Sequence, residues 1–151
     1  MKPEEKARII IDRMLNDAGW EVVDRNHYSP EVSAIAVEEG LLKGNREADY
    51  LLFLNGKAVG VLEAKKESVS IYSEFVADQA EKYTRGVPHW CQAWMNPLPL
   101  VYLSNGRELL FRDTRDVDSE YISLNKIHSP KEIAKPVSYT HLRAHETELH
   151  L

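Results

Sequence analysis

Three charged residues, Asp49, Glu63 and Lys65, have the types and spacing that phosphodiester hydrolysis needs. Asp49 begins a nearly apolar stretch, Glu63 and Lys65 end the next, and the Asn55-Gly56 pair between the stretches is typical of a tight hairpin turn. Asp49 stands six residues before this turn and Glu63 seven after it, which predicts carboxylates lying nearly opposite each other. Glu63 and Lys65 are two positions apart, so their side chains share one face of the strand.

Two carboxylates and an ammonium in one small volume suit metal-dependent hydrolysis. Mg²⁺ prefers oxygen ligands, and a bound divalent ion activates water and neutralises charge on the phosphate. We expect Asp49, Glu63 and the backbone carbonyl of Ala64 to bind the metal, and Lys65 to orient the water or stabilise the transition state. The spacing alone also fits a solvated rim or an ion pair, but the apolar flanks favour a cleft.

Apolar periodicity predicts the elements that position these residues. Residues 7–18 repeat at helical spacing before Gly19, and residues 71–85 do so before Gly86, which predicts two helices. Extended segments are predicted at 20–23, 33–38, 48–54, 57–64, 100–103 and 108–111, with loops at 26–30 and 89–99. This order predicts an α/β fold with a central mixed β-sheet flanked by helices.

The composition is that of one globular domain. The chain has 151 residues, of which 43% are hydrophobic and 28% charged. No apolar run is long enough to span a bilayer and the N-terminus has no secretory core, so we expect a cytoplasmic protein without a membrane partner. Cys91 is the single cysteine, which excludes an intrachain disulfide and favours a buried, inert thiol.

The formal charge of -5 argues against non-specific attraction to nucleic acid, which requires clustered basic residues. Nucleases, however, gather carboxylates around metal ions, and the metal with a local basic rim can supply a positive field. The charge therefore predicts weak DNA affinity for the isolated chain and leaves a nuclease function open.

The sequence from Arg46 to Glu67 resembles the N-terminal nuclease domain of the restriction (R) subunit of type I restriction-modification enzymes. In that family an Asp is followed on the next strand by Glu-x-Lys, and Asp49, Glu63 and Lys65 occupy these positions. The resemblance implies the restriction-endonuclease-like fold of the PD-(D/E)xK nucleases. Ala48 stands where the superfamily name has proline, a departure that leaves the metal ligands unchanged.

A Gln-x-x-x-Tyr motif on a helix accompanies this site in the family, and Gln79 and Tyr83 match it. The two residues are four apart and share one helix face, where the resemblance implies that they contact DNA or brace the active site. A structural alternative is that Tyr83 belongs to the core and Gln79 caps its edge.

Further site residues are less specific. Basic residues that could contact phosphate, or could equally be solvated surface charges, are Lys66, Lys82, Lys57 and Arg85. Many members of the superfamily add a glutamate from the first helix or strand, and Glu5 and Glu39 are candidates by position.

The resemblance implies an Mg²⁺-dependent endonuclease, with Mn²⁺ able to substitute, that cuts double-stranded DNA during restriction of foreign DNA. The R subunit of that family continues into an ATP-driven helicase motor and acts with methylation and specificity subunits. No Gly-x-x-x-x-Gly-Lys-Ser/Thr loop occurs here, so ATP would act only through a motor missing from this sequence. We therefore interpret residues 1–136 as a nuclease domain from a longer R subunit, and 137–151 as a non-native tail resembling sequencing-adaptor read-through.

A non-catalytic module is the alternative, either a DNA-binding domain or a subunit-docking domain of a restriction or repair complex. The intact set of Asp49, Glu63 and Lys65 argues against it. A zinc site at His141, His145 and His150 is disfavoured because all three lie in the suspect tail.

Overall fold

One mixed β-sheet of eight strands organises the three ranges that this computed structural model describes, residues 3–41, 47–87 and 91–134. Along the chain the elements are α1 (Pro3–Ala18), β1 (Glu21–Asp24), a 3₁₀ turn (Arg25–His27), β2 (Ala34–Leu41), β3 (Glu47–Leu54), β4 (Lys57–Ala64), α2 (Glu74–Thr84), β5 (Gln92–Ala93), β6 (Leu100–Ser104), β7 (Leu109–Asp113), β8 (Ile122–Ser123) and α3 (Pro130–Ala134).

The strand order is β1-β2-β3-β4-β6-β7-β8, and β5 pairs with β4 outside this path. β1 with β2, β4 with β5 and β4 with β6 are parallel pairs, while the remaining pairs are antiparallel. The predicted α/β architecture with a central mixed sheet is therefore confirmed. None of the described helices is long and apolar enough to cross a membrane.

Each face of the sheet is covered by a different helix. Ile11 and Leu15 of α1 pack on one face with Ile133 of α3, and Val76 and Ala80 of α2 pack on the other. The central strands are buried on both faces, as expected for strands between two helical layers.

The β3–β4 hairpin closes as its turn sequence predicts. Asn55 (φ 49°) and Gly56 (φ 81°) both have left-handed backbones, the conformation that the two-residue turn favoured in hairpins requires.

Asn55→Ala is expected to lower the free energy of unfolding by about 1 kcal/mol, because alanine adopts this backbone less readily. Urea unfolding of the variant measures the loss, with Lys57→Ala beside the turn as the control. Equal midpoints for Asn55→Ala and wild type would contradict a left-handed backbone at Asn55.

A β-bulge in this hairpin sets which residues meet at its open end. Near the turn Phe53 pairs with Ala58, but farther along Tyr50 pairs with Leu62, so β4 contains one extra residue. When the register of Tyr50 and Leu62 is extended by one position, Glu63 lies opposite Asp49. Without the extra residue, Leu62 would lie there instead. Directly opposite residues share a face of the sheet, so the bulge brings the two carboxylates to the same side.

Several element boundaries differ from the prediction for local reasons. The second helix begins at Glu74 instead of 71, because the Ser73 carbonyl accepts its first helical hydrogen bond, from Ala77. The strand predicted at 33–38 is β2, which extends to Leu41. The loop predicted at 89–99 contains the short strand β5.

The connection around Gly106 is longer than a two-residue hairpin turn. Residues 105–108 join β6 to β7, and the Asn105 side-chain carbonyl accepts the backbone N–H groups of Arg107 and Glu108. The side chain thus replaces backbone hydrogen bonds that a tighter turn would make.

Cys91 is only half-buried, so the expectation of a buried thiol was wrong. Burial raises the pKa of its thiol.

Candidate active site

Asp49 is held in place through both of its carboxylate oxygens. Oδ2 accepts the backbone N–H of Ala64 at 2.7 Å, and Oδ1 accepts Nη2 of Arg8 at 2.6 Å. The first contact ties the side chain to the end of β4, and the second ties it to α1. Asp49 therefore has a fixed position at the sheet end where β4 finishes.

Glu63 is a buried carboxyl with an incomplete set of partners. The residue is 3% exposed, its Oε1 lies 3.7 Å from Lys65 Nζ, and its Oε2 receives no hydrogen bond from the residues that the structure describes. Burial, followed by the neighbouring Asp49 carboxylate, raises the pKa of Glu63 to about 9. A buried carboxyl beside a second one favours either a bound proton or a bound cation.

Lys65 connects the carboxylates to the second helix. Its Nζ donates a hydrogen bond to Gln79 Oε1 at 3.0 Å, and Gln79 Nε2 donates to Tyr83 Oη at 3.2 Å. The Lys65 backbone N–H donates to the Ser104 carbonyl, which anchors the residue to β6. Tyr83 also packs against the core beneath α2, so the two interpretations of this helix face are compatible.

Arg8 lies in the site although the spacing of the motif gave no sign of it. Its Nη1 is 2.8 Å from Glu39 Oε1, and its guanidinium carbon lies 5.6 Å from the centre of the Tyr50 ring. Arg8 and Asp49 are 41 positions apart in the chain, so only the packing of α1 brings them together. Glu39, a candidate by position, is thereby placed beside Asp49, whereas Glu5 is an exposed residue of α1.

A second acidic group lies behind Arg8. Tyr50 Oη donates a hydrogen bond to Asp12, and Glu38 also interacts with Asp12. Burial first, and then this interaction with Asp12, raises the pKa of Glu38 to about 7. Asp12 and Glu38 come from α1 and β2 with no motif joining them, so no local pattern predicted this group.

The basic candidates occupy different parts of the surface. Lys66 is exposed next to Lys65, while Lys82 in α2 and Arg85 just after it are exposed and line a groove of about 390 Å³ with Gln79. Lys57 begins β4, and six residues of strand place it roughly 20 Å from Glu63. Lys57 is therefore remote from the carboxylates.

The donor set suits a hard divalent ion that retains water. Within the described ranges no three or more His, Cys, Asp or Glu side chains converge as a metal-binding group. Two carboxylates, Asp49 and Glu63, remain, with the Ala64 carbonyl as the predicted third ligand. Mg²⁺ commonly binds proteins through one or two carboxylates and keeps several waters, so the residues fit this ion. The Oε2 of Glu63, which has no hydrogen-bond partner within the described part of the chain, supports the same fit.

Comparison with known proteins identifies the family. The family model of the type I restriction enzyme EcoKI endonuclease subunit second domain matches residues 25–137. The type I restriction enzyme EcoKI endonuclease subunit of Escherichia coli (strain K12) is 24% identical over an alignment 180 residues long, which covers 86% of this chain and 15% of that protein.

A solved structure has the same fold. A fragment assigned as the HsdR subunit of a type I restriction enzyme from Vibrio vulnificus YJ016 aligns with a TM-score of 0.60 at 20% sequence identity. The alignment covers 97% of this chain and 26% of that one. This chain thus spans a minor part of both relatives.

The matched family corresponds to a second domain, whereas the sequence resemblance suggested an N-terminal one. The relationship to the R subunit is confirmed. The chain belongs to the family of the second domain of the type I restriction enzyme endonuclease subunit.

Proposed function

We propose that this chain is a PD-(D/E)xK nuclease domain that hydrolyses DNA phosphodiesters with a divalent metal ion as part of type I restriction. The observation that carries this function is a buried Glu63 oxygen that accepts no hydrogen bond from any described residue, in a carboxyl group that the extended β3–β4 register puts opposite Asp49. Lys65 comes directly after the end of β4, two residues after Glu63, with its ammonium 3.7 Å from an oxygen of that carboxyl group.

Each residue of the set has a separable task. Bound Mg²⁺ supplies an activated water and neutralises charge on the phosphate. Asp49 and Glu63 would hold the ion, and the Ala64 N–H keeps the Asp49 carboxylate in its orientation. Lys65 donates a hydrogen bond to the attacking water or to a phosphoryl oxygen, where positive charge stabilises the transition state.

Gln79 and Tyr83 position Lys65. A lysine side chain has four flexible torsions, and the Gln79 acceptor restricts them by fixing the ammonium. Exposed Lys66 and Lys82 are suited to phosphate contacts because they flank this arrangement on the β4 and α2 sides. We infer that double-stranded DNA approaches from the side of α2.

The full activity belongs to a longer protein. We propose that residues 1–136 form the natural domain and that a helicase motor in the same full-length chain supplies the ATP dependence. Methylation and specificity subunits would complete the assembly. Residues 137–151, and with them His141, His145 and His150, lie outside the described residues.

Supercoiled plasmid tests the proposed activity. We expect the 151-residue chain at high concentration to produce open-circular and linear DNA with Mg²⁺ or Mn²⁺ and none with a chelator. Glu63→Gln should remove this cutting, and cutting that persists in the variant would contradict the assignment. A plasmid that stays intact while the metal binds at Asp49 would indicate a nuclease that requires its motor and partner subunits. Absence of metal binding would favour the non-catalytic module.

Tyr83→Phe is expected to reduce the cleavage rate by about threefold to tenfold, because one neutral hydrogen bond to Gln79 is lost. The ring remains, so packing against the core is preserved. Single-turnover cleavage measures the effect, with Tyr72→Phe, an exposed tyrosine before α2, as the control. Equal rates for Tyr83→Phe and wild type would show that Gln79 does not depend on the hydroxyl.

A further inference from the structure

The guanidinium of Arg8 occupies a position between two carboxylates at the site. Nη2 is 2.6 Å from Asp49 Oδ1, and Nη1 is 2.8 Å from Glu39 Oε1. The side chains of Arg8 and Asp49 are 18% and 15% exposed, while that of Glu39 is 48% exposed. Arg8 is thus bound on its shielded side by the proposed metal ligand and on its open side by a carboxylate that faces solvent.

Both carboxylate oxygens of Asp49 already accept hydrogen bonds, so a metal ion would compete with one of the two donors. Oδ2 accepts the N–H of Ala64, a buried residue whose backbone belongs to the sheet. Oδ1 accepts a hydrogen bond from Arg8, whose long side chain can rotate. A divalent ion held by Asp49 and Glu63 would therefore displace Arg8 more readily than the backbone contact.

Electrostatics leads to the same conclusion. A guanidinium in contact with a ligand oxygen repels a divalent ion at the same oxygen, and the repulsion is strongest where water is excluded. Glu39 offers the displaced guanidinium a second carboxylate that it already contacts. Arg8 can consequently leave Oδ1 without losing all of its ion-pair partners.

We propose that Arg8 is a placeholder cation: it holds Asp49 in its ligand position when no metal is bound and releases Oδ1 when a divalent ion binds. The inference rests on the proposed metal site and makes Arg8 a positioning residue. Arg8 precedes the span 25–137 that matches the family model, so α1 contributes this control from outside that span. Metal affinity is then set by competition with Arg8 as well as by the carboxylates.

Calorimetric titration of the 151-residue chain with Mn²⁺ tests this competition. Arg8→Gln is expected to tighten Mn²⁺ binding by about tenfold, because a charge-assisted hydrogen bond no longer competes for Oδ1. Arg8→Lys, which keeps the charge, should stay nearer to wild type. Arg13→Gln, an exposed arginine of the same helix, should change the affinity by less than about twofold. The metal-free Arg8→Gln chain should also unfold at a lower temperature, so stability and metal affinity change in opposite directions.

Unchanged or weaker Mn²⁺ binding in a folded Arg8→Gln chain would overturn the inference while leaving the metal site itself intact. The wild-type chain provides a test that needs no folded variant, namely the NMR signals of the Arg8 guanidinium during Mg²⁺ titration. We expect these signals to shift as the metal binds, and unchanged signals in the metal-bound chain would overturn the inference. Failure of both wild type and Arg8→Gln to bind metal would overturn the proposed function and the inference together.

Discussion

Replacing Lys65 by alanine is expected to slow metal-dependent DNA cleavage by about 10²–10³-fold, because a preorganised charge near the reacting phosphate is lost. The ammonium has a fixed location between Gln79 Oε1 and Glu63. Since Lys65 is not a metal ligand in this mechanism, the divalent ion should still bind. The substitution therefore separates catalysis from metal binding.

Single-turnover cleavage of a labelled duplex or of plasmid measures the Lys65→Ala effect. Lys66→Ala is the matched control, because it removes the same charge from the next, exposed residue. The control should lose less than about threefold, as a surface phosphate contact does. Equal losses in the two variants would contradict a catalytic role for Lys65 and would indicate that both residues only attract DNA.

Glu63→Gln is expected to stabilise the metal-free chain even though it removes activity. The folded chain raises the pKa of Glu63 from 4.5 to about 9, so between these values the folded state binds more protons than the unfolded state. The free energy of unfolding then decreases as pH rises through this window. Glutamine has nearly the same shape and carries no charge, so the variant does not lose this stability as pH rises. The gain is about 1–3 kcal/mol near pH 7.

Urea unfolding between pH 5.5 and 8.5, with a chelator present, measures this effect. The wild-type midpoint should fall with pH more steeply than that of Glu63→Gln. Glu67→Gln is the control, because Glu67 is exposed and its contact with Arg107 is a surface ion pair. A Glu63→Gln chain less stable than wild type at pH 8 would contradict the account of a crowded, metal-seeking carboxyl.

The hairpin and its motif could be predicted because their signals are local. Asn55-Gly56 specifies the turn, and the distances of Asp49 and Glu63 from it nearly match. The count alone, however, places Glu63 one position beyond a direct partner of Asp49. The extra residue of the bulge corrects that offset. Gly60, the residue that follows the bulge, lies so close to β6 that a side-chain carbon added to it would be 2.5 Å from the Leu100 carbonyl oxygen. This crowding is a tertiary effect, so local spacing did not reveal it.

The environment of the site depends on contacts between distant segments. Arg8 reaches Asp49 from a helix 41 residues earlier, and Asp12 meets Tyr50 across 38 residues. Burial, which raises the pKa of Glu63, also depends on how the helices cover the sheet. Patterns within one strand or helix carry no information about such packing, so the chemical types were predictable and their electrostatic environment was not.

Calorimetric titration of wild type, Asp49→Asn and the exposed control Asp17→Asn with Mn²⁺ tests the proposed metal site most directly. The Asp49→Asn substitution keeps the side-chain shape and an oxygen that could still accept the Ala64 N–H, but it removes the charge that holds the metal. We expect wild type and Asp17→Asn to bind the ion and Asp49→Asn to bind it at least about tenfold more weakly. Binding that is equally strong in Asp49→Asn, or absent from wild type, would contradict a metal-dependent nuclease centred on Asp49 and Glu63.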